Sequence, residues 1–300
     1  MKYCFGVDIG GTTVKMGIFT VAGDIIDKWE IKTHVENQGE TILPDVAKSI
    51  NGKIEEHCLN KEDIIGIGVG VPAAVTGDGV VENTTNLGWG YKEVKRELEE
   101  LTSLKVKVEN DANVAALGEM WKGGAVGYRN VVMVTLGTGV GGGIIVEGEI
   151  VSGTTGGAGE IGHICVNYDE TDVCGCGKKG CIEQYASATG IVRMAKKKMM
   201  SNEITAKDVW DAVKAGDSVA LEVAQQFGLY LGRALADVAA VVNPEVFVIG
   251  GGVSKAGEIL IQYVEPVFKN LVFYASKGTK FAMATLGNDA GICGAAKMLL

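Results

Sequence analysis

Short apolar runs that stop at glycine punctuate this chain. The stretches 7–9, 64–71, 131–136 and 246–249 are rich in Val and Ile, and each runs into a glycine-rich turn. That pattern predicts buried strands. Between them, helical periodicity predicts helices over about 41–58, 92–101, 112–121, 183–199, 206–215, 218–242 and 254–270. Strands alternating with helices indicate an α/β architecture. In the longest helix, Val219, Val223, Phe227, Leu231 and Leu235 form an apolar ridge,. A second row of Ala224, Gly228, Gly232, Ala236 and Ala240 runs beside it. Glycine inside a helix costs about 1 kcal/mol relative to alanine, so this row predicts another element packed very close. The final stretch, GNDAGICGAAKMLL, is expected to form a helix that returns to the N-terminal half.

A weak repeat divides the chain. DIGGT at 8–12 and TLGTG at 135–139 each close an apolar strand with a Gly/Thr turn and open onto a second strand. Two such units predict two domains of similar plan, residues 1–117 joined by 288–300, and residues 118–287. A chain of 300 residues is long enough for two cores,.

Charge then removes several classes of function. The net charge of −9 argues against a nucleic-acid surface, which needs clustered Lys and Arg,. The one basic run, Lys196 to Lys198, sits where it complements a helix dipole,. The longest uncharged apolar stretch, 131–146, holds five glycines and is too short for a membrane helix,. No secretory leader is legible, and seven cysteines, an odd number, suit a reducing compartment,. A cytoplasmic location is the expectation.

Gly/Thr turns suit phosphate, because backbone N–H groups converge there and hydroxyls add donors. The candidates are Gly10, Gly11, Thr12 and Thr13 in the first turn and Gly137, Thr138 and Gly139 in the second. Neither turn opens a helix as a P-loop or dinucleotide fingerprint does. Asp8 is placed to help hold Mg²⁺, and Lys15 to offset phosphate charge,. A third cluster containing Gly251 and Gly252 reads either as a nucleoside platform or as a tight strand–helix turn. Asp111, at the start of a helix, reads from local pattern as an N-cap. His163, Cys174, Cys176 and Cys181 make a Cys₃His set, read either as a closed tetrahedral zinc site or as buried thiols,. Buried free thiols account for Cys4, Cys58, Cys165 and Cys293.

The ordered blocks DIGGT, VENDAN at 108–113, GTGVGGG at 137–143, GEIGH at 159–163, CGCGKKGCIE at 174–183 and IGGGVS at 249–254 resemble the ROK family of bacterial sugar kinases and repressors. The resemblance implies a two-domain actin-like ATPase/hexokinase (ribonuclease H-like) fold with an interdomain cleft that closes over the sugar. It implies an ATP-dependent hexose kinase using Mg²⁺ and a structural Zn²⁺ on the Cys₃His set. GVPAAVTGDGVVENTTNLGW at 70–89 makes glucose the expected hexose, although Ala73-Ala74 replaces the usual Gly-Pro. Asp111 matches the catalytic aspartate, and Asn110, Glu160, His163 and Glu183 match sugar-binding positions, with Asn86 a further candidate. A homodimer is the family's common form. Kinases for N-acetylglucosamine, N-acetylmannosamine or fructose share nearly all these residues. Repressors of the family carry a helix-turn-helix before the first phosphate turn, and here that turn starts at residue 8. A non-catalytic sugar-binding protein is the remaining alternative, against which an intact Asp111 and both turns count.

Overall fold

The structure is a computed structural model that describes residues 1–199 and 203–300. The chain folds as two compact units. The first comprises Met1–Val126, Gly143–Ala158 and Asn288–Leu300, and the second Gly127–Gly142 and Gly159–Gly287.

The first unit is built on β1 (Tyr3–Ile9), β2 (Thr13–Thr20), β3 (Ile25–Lys32), β4 (Ile64–Val71) and β5 (Val106–Asn110). Their order in the sheet is β3-β2-β1-β4-β5. The first three strands form an antiparallel meander, whereas β4 and β5 join in parallel. Its helices are the irregular turn α1 (Glu36–Gly39), α2 (Ile42–Glu56), α3 (Val94–Thr102), α4 (Asp111–Lys122) and the C-terminal α10 (Ala290–Lys297). Alternation along β1 and β2 sends Phe5, Val7, Ile9, Met16 and Ile18 into a core shared with Ile42, Leu43, Val46 and Ile50 of α2,. Seven of the eight residues of α10 are buried.

The second sheet runs β10-β9-β6-β7-β8. It contains β6 (Val131–Leu136), β7 (Val140–Val146), β8 (Glu149–Ile150), β9 (Val246–Gly250) and β10 (Lys280–Met283). Here β6, β9 and β10 are parallel. The helices of the second unit are α5 (Glu183–Ala186), α6 (Ala188–Met199), α7 (Ala206–Lys214), α8 (Ser218–Val242) and α9 (Ile259–Leu271). The glycine row of α8 meets α9 as expected. A Cβ at Gly228 would collide with the Tyr263 carbonyl oxygen, and one at Gly232 would lie 2.8 Å from that of Val264. Among the described residues, no helix is long and apolar enough to cross a membrane.

Four expectations change. The helix expected over 183–199 is broken at Ser187, whose extended backbone separates α5 from α6. Its hydroxyl accepts the Gly190 N–H at 2.9 Å, as a helix N-cap does,. The helix expected from residue 254 starts at Ile259 instead, because Gly257 adopts φ +91° after a 3₁₀ turn over Gly252–Ala256,. The division expected near residue 118 falls inside α4, and Gly118 is a packing contact: a Cβ there would collide with the Ala290 carbonyl oxygen. Cys58 is exposed, unlike Cys4 and Cys293, because it sits in a turn with φ +50° beyond α2.

Candidate functional site

In the first unit, the β1–β2 hairpin sets Asp8 directly across from Lys15. Its turn is closed by the Gly10 N–H donating to the Thr13 carbonyl at 3.0 Å. Thr33 braces it from β3's end, donating its hydroxyl to the Gly10 carbonyl at 2.6 Å. Gly11 and Thr12 are left exposed. Burial pushes the Asp8 carboxyl above the ordinary range, opposed by the charge of Lys15,. Among the described residues, none donates a hydrogen bond to Asp8. This half-buried carboxylate, which accepts no hydrogen bond among the described residues, has both oxygens available to a cation beside Lys15.

Asn86 is exposed and stands against the same turn: a Cβ at Gly11 would lie 3.2 Å from the Asn86 Cβ. The loop carrying it is tied by Thr84 and Trp89, which exchange hydrogen bonds, and by the Trp89 indole N–H donating to the Gly39 carbonyl at 3.0 Å.

Asp111 is not the N-cap that local pattern suggested. Asn110 takes that role, with extended backbone and a side-chain oxygen accepting the N–H groups of Ala112 and Asn113 at 2.9 and 3.2 Å. Its amide nitrogen donates to the Ala73 carbonyl at 3.1 Å. Asp111 is therefore the first helical residue, its carboxylate at the positive end of α4, where it accepts the Ala112 N–H at 2.8 Å,. Local pattern does not single out Glu109. One of its oxygens accepts the Asn110 N–H at 2.8 Å and the Asn113 amide at 3.1 Å, and the other accepts the Ser152 hydroxyl. Glu109 thus holds the turn that presents Asp111. Gly70 lies close to both Asp8 and Asp111. A Cβ there would be 3.6 Å from the Asp111 Cα and 3.8 Å from Asp8 Oδ1.

In the second unit, the Gly137–Gly139 turn is closed by a 3.0 Å bond from the Gly137 N–H to the Gly139 carbonyl. Glu183 lies against it. Its Oε2 accepts the Val140 N–H at 3.1 Å, and a Cβ at Gly139 would collide with that oxygen. Its Oε1 accepts from the Cys174 thiol at 3.5 Å. Thr138, Gly139, Cys174, Glu183 and Arg193 line one cavity of about 380 Å³. The third glycine cluster divides. Gly251 is a close-packing position, where a Cβ would lie 2.6 Å from the Leu136 carbonyl oxygen. Gly252 is open and helps line a cavity of about 370 Å³ with Trp210, Val253 and Lys255.

The ligand atoms of His163, Cys174, Cys176 and Cys181 lie within 4.8 Å of one another. Cys176 and Cys181 sulfurs are 3.6 Å apart, and the Cys174 sulfur is 3.9 Å from His163 Nδ1. A tetrahedral zinc with bonds of about 2.3 Å to sulfur and 2.0 Å to nitrogen separates its ligand atoms by roughly 3.5–3.8 Å. The donor set fits. Burial pushes the Cys181 thiol up to about 12, so only a cation in place of the proton would make it a thiolate near neutrality,. The other imidazole nitrogen, Nε2, points toward Glu160, 3.9 Å from its Oε2, and Glu160 is exposed.

A second clamp on this loop left no signal in the sequence. Arg193 of α6 donates to Glu170 and Asp172, each at 2.8 Å, and to the Gln184 carbonyl at 3.0 Å. The Tyr185 hydroxyl donates to Glu170 at 2.6 Å. Burial alone would raise the Glu170 carboxyl, but Arg193 and Tyr185 overcome it and hold it at about 2. Relative to its ordinary 4.5, the depressed value stabilises the fold fully above pH 4.5, and the effect is lost as pH falls toward 2,. Glu170→Gln is expected to cost roughly 2–3 kcal/mol at pH 7 in urea denaturation. That gap should narrow below pH 4.5; a gap independent of pH would remove the ion pair as its cause.

The ROK family profile matches residues 4–300. The chain belongs to the ROK family. Over 98% of its length this ROK protein is 45% identical to a glucokinase of Halalkalibacterium halodurans, 93% of which is covered. The ROK hexokinase from Thermus thermophilus superposes with a TM-score of 0.87 at 29% identity, covering 98% of this chain and 96% of that one. A ROK glucokinase from Streptomyces griseus, solved in complex with glucose and AMPPNP, gives 0.78 at 33% identity, covering 99% and 98%. The fold is accordingly the α/β actin-like sugar-kinase fold.

Proposed function

We propose that this ROK protein is an ATP-dependent glucokinase that transfers the γ-phosphoryl group of Mg·ATP to the 6-hydroxyl of glucose, giving glucose 6-phosphate and ADP. The observation that carries the reading is Asp111: a carboxylate at a helix N-terminus, on a turn held by Asn110 and Glu109. Asp111 accepts the hydroxyl proton as the sugar oxygen attacks the γ-phosphorus and the bond to the ADP oxygen breaks. The transition state has little covalent chemistry for the protein to do, so positioning and charge supply most of the rate.

The assignments follow from family membership, and the chemistry of each group agrees with its role. By family membership Asn86, Asn110, Asp111, Glu160, His163 and Glu183 are the residues assigned to sugar hydroxyls, from which a carboxylate can accept two at once. The turns Gly10–Thr13 and Gly137–Gly139 meet phosphates, with Lys15 offsetting their charge. Gly252, Val253 and Trp210 offer the nucleoside a largely apolar cavity. Mg²⁺ neutralises developing phosphate charge when bound, and the donor-free Asp8 carboxylate would help hold it,. His163 Nδ1 and the three thiolates would hold a structural Zn²⁺, which fixes the chain between Glu160 and Glu183. A cytoplasmic setting and a homodimer, both implied by family membership, complete the reading.

A coupled ADP-release assay with Mg·ATP over glucose, mannose, fructose, N-acetylglucosamine and N-acetylmannosamine tests it. Glucose is expected to give the highest kcat/KM. Preference for another hexose would overturn the substrate, and no turnover with any would overturn the kinase.

A further inference from the structure

We propose that the C-terminal helix α10 is the positioning element for the Asp8 carboxylate, and that Gly291 is the contact on which that position depends. This rests on the reading of Asp8 as the acid that serves Mg·ATP.

The helix is seated backbone on backbone. A Cβ at Gly6 of β1 would collide with the Ile292 carbonyl oxygen, and one at Gly68 of β4 with that of Ala295. On the other side, a Cβ at Gly118 of α4 would collide with the Ala290 carbonyl oxygen, and one at Gly294 with that of Val114. Backbone atoms cannot rotate aside, so these contacts leave α10 one position relative to β1, β4 and α4.

At Gly291 the neighbour changes from backbone to a functional side chain. A Cβ there would lie 2.6 Å from both Cγ and Oδ2 of Asp8. The other oxygen, Oδ1, faces Gly70 at 3.8 Å from an equivalent Cβ. Asp8 therefore occupies a slot between two glycines, half-buried and, among the described residues, with no hydrogen-bond donor to orient it. Where hydrogen bonds do not choose a rotamer, packing does. The same helix bears on α4, whose first residue is Asp111. One rigid element thus sets both the acid that serves the metal and the helix that carries the base.

Gly291→Ala puts a methyl group where Oδ2 now sits, and Asp8 must turn away. The expected result is a fall in kcat of about 10- to 100-fold. The Mg²⁺ concentration for half-maximal rate should rise as well, while the dissociation constant for glucose, measured by calorimetry, stays unchanged. In an Asp8→Ala background the same substitution should cost much less thermal stability, because the carboxylate is gone and only the residue 8 Cβ, 3.0 Å away, remains. If Gly291→Ala alone fails to fold, Asp8→Ala/Gly291→Ala is expected to fold. Wild-type kinetics and Mg²⁺ response in Gly291→Ala would overturn the proposal. So would an equal loss of stability in both backgrounds, or a double variant that also fails to fold, because the obstruction would then lie in helix seating. Undiminished turnover in Asp8→Ala alone would instead overturn the reading of Asp8 itself, and the proposal with it.

Discussion

Asp111→Asn is expected to lose at least about 100-fold in kcat while still binding glucose. The substitution keeps the shape and the oxygen that accepts the Ala112 N–H, so the start of α4 is undisturbed. What it removes is the ability to take a proton. Without a base, the 6-hydroxyl must attack as the neutral alcohol or give its proton to water. The measurement is kcat from ADP release beside glucose binding by calorimetry. Lost turnover with lost binding would make Asp111 a binding group only, and undiminished turnover would favour a non-catalytic sugar-binding protein.

On the proposed zinc site, removing the ion from the Cys₃His cluster is expected to damage folding and sugar affinity together. The cluster joins residues 163 and 174–181, and Glu160 and Glu183 flank it. Without a cation, Cys181 is protonated by burial, and the loop loses the bonds that close it,. Dialysis against a strong chelator, or Cys176→Ser, is expected to weaken glucose affinity by about 10- to 100-fold, the range for a disturbed metal shell. The melting temperature should fall in parallel, and added Zn²⁺ should restore the chelated protein. Elemental analysis should find one zinc per chain. Full-strength glucose binding in metal-free protein would show that the loop needs no clamp beyond the Glu170–Arg193 pair.

Much of the fold was legible because its signals are local. Periodicity located β4, β6 and α8 by their own apolar patterns. Two helix boundaries were missed for a local reason as well. Ser187 and Gly257 are ordinary cap and turn residues, and the apolar runs around them masked their effect. The cap at Asn110 was missed because either Asn or Asp serves there, and only the backbone angles show which one precedes the helix.

Local chemistry, then, was determined by sequence alone: two Gly/Thr turns, a Cys₃His donor set, and an acid at a helix start. Each depends on residue type over a few positions, and short-range sterics and ligand preference act over that range. The tertiary structure decided which groups meet. It set Asp8 near Asp111 across Gly70 and Glu183 against Gly139. It also tied Glu170 to Arg193 on α6 and seated α10 against glycines of β1, β4 and α4. These contacts join residues up to hundreds of positions apart. Close packing selects them, and which partner each group packs against is a property of the assembled core.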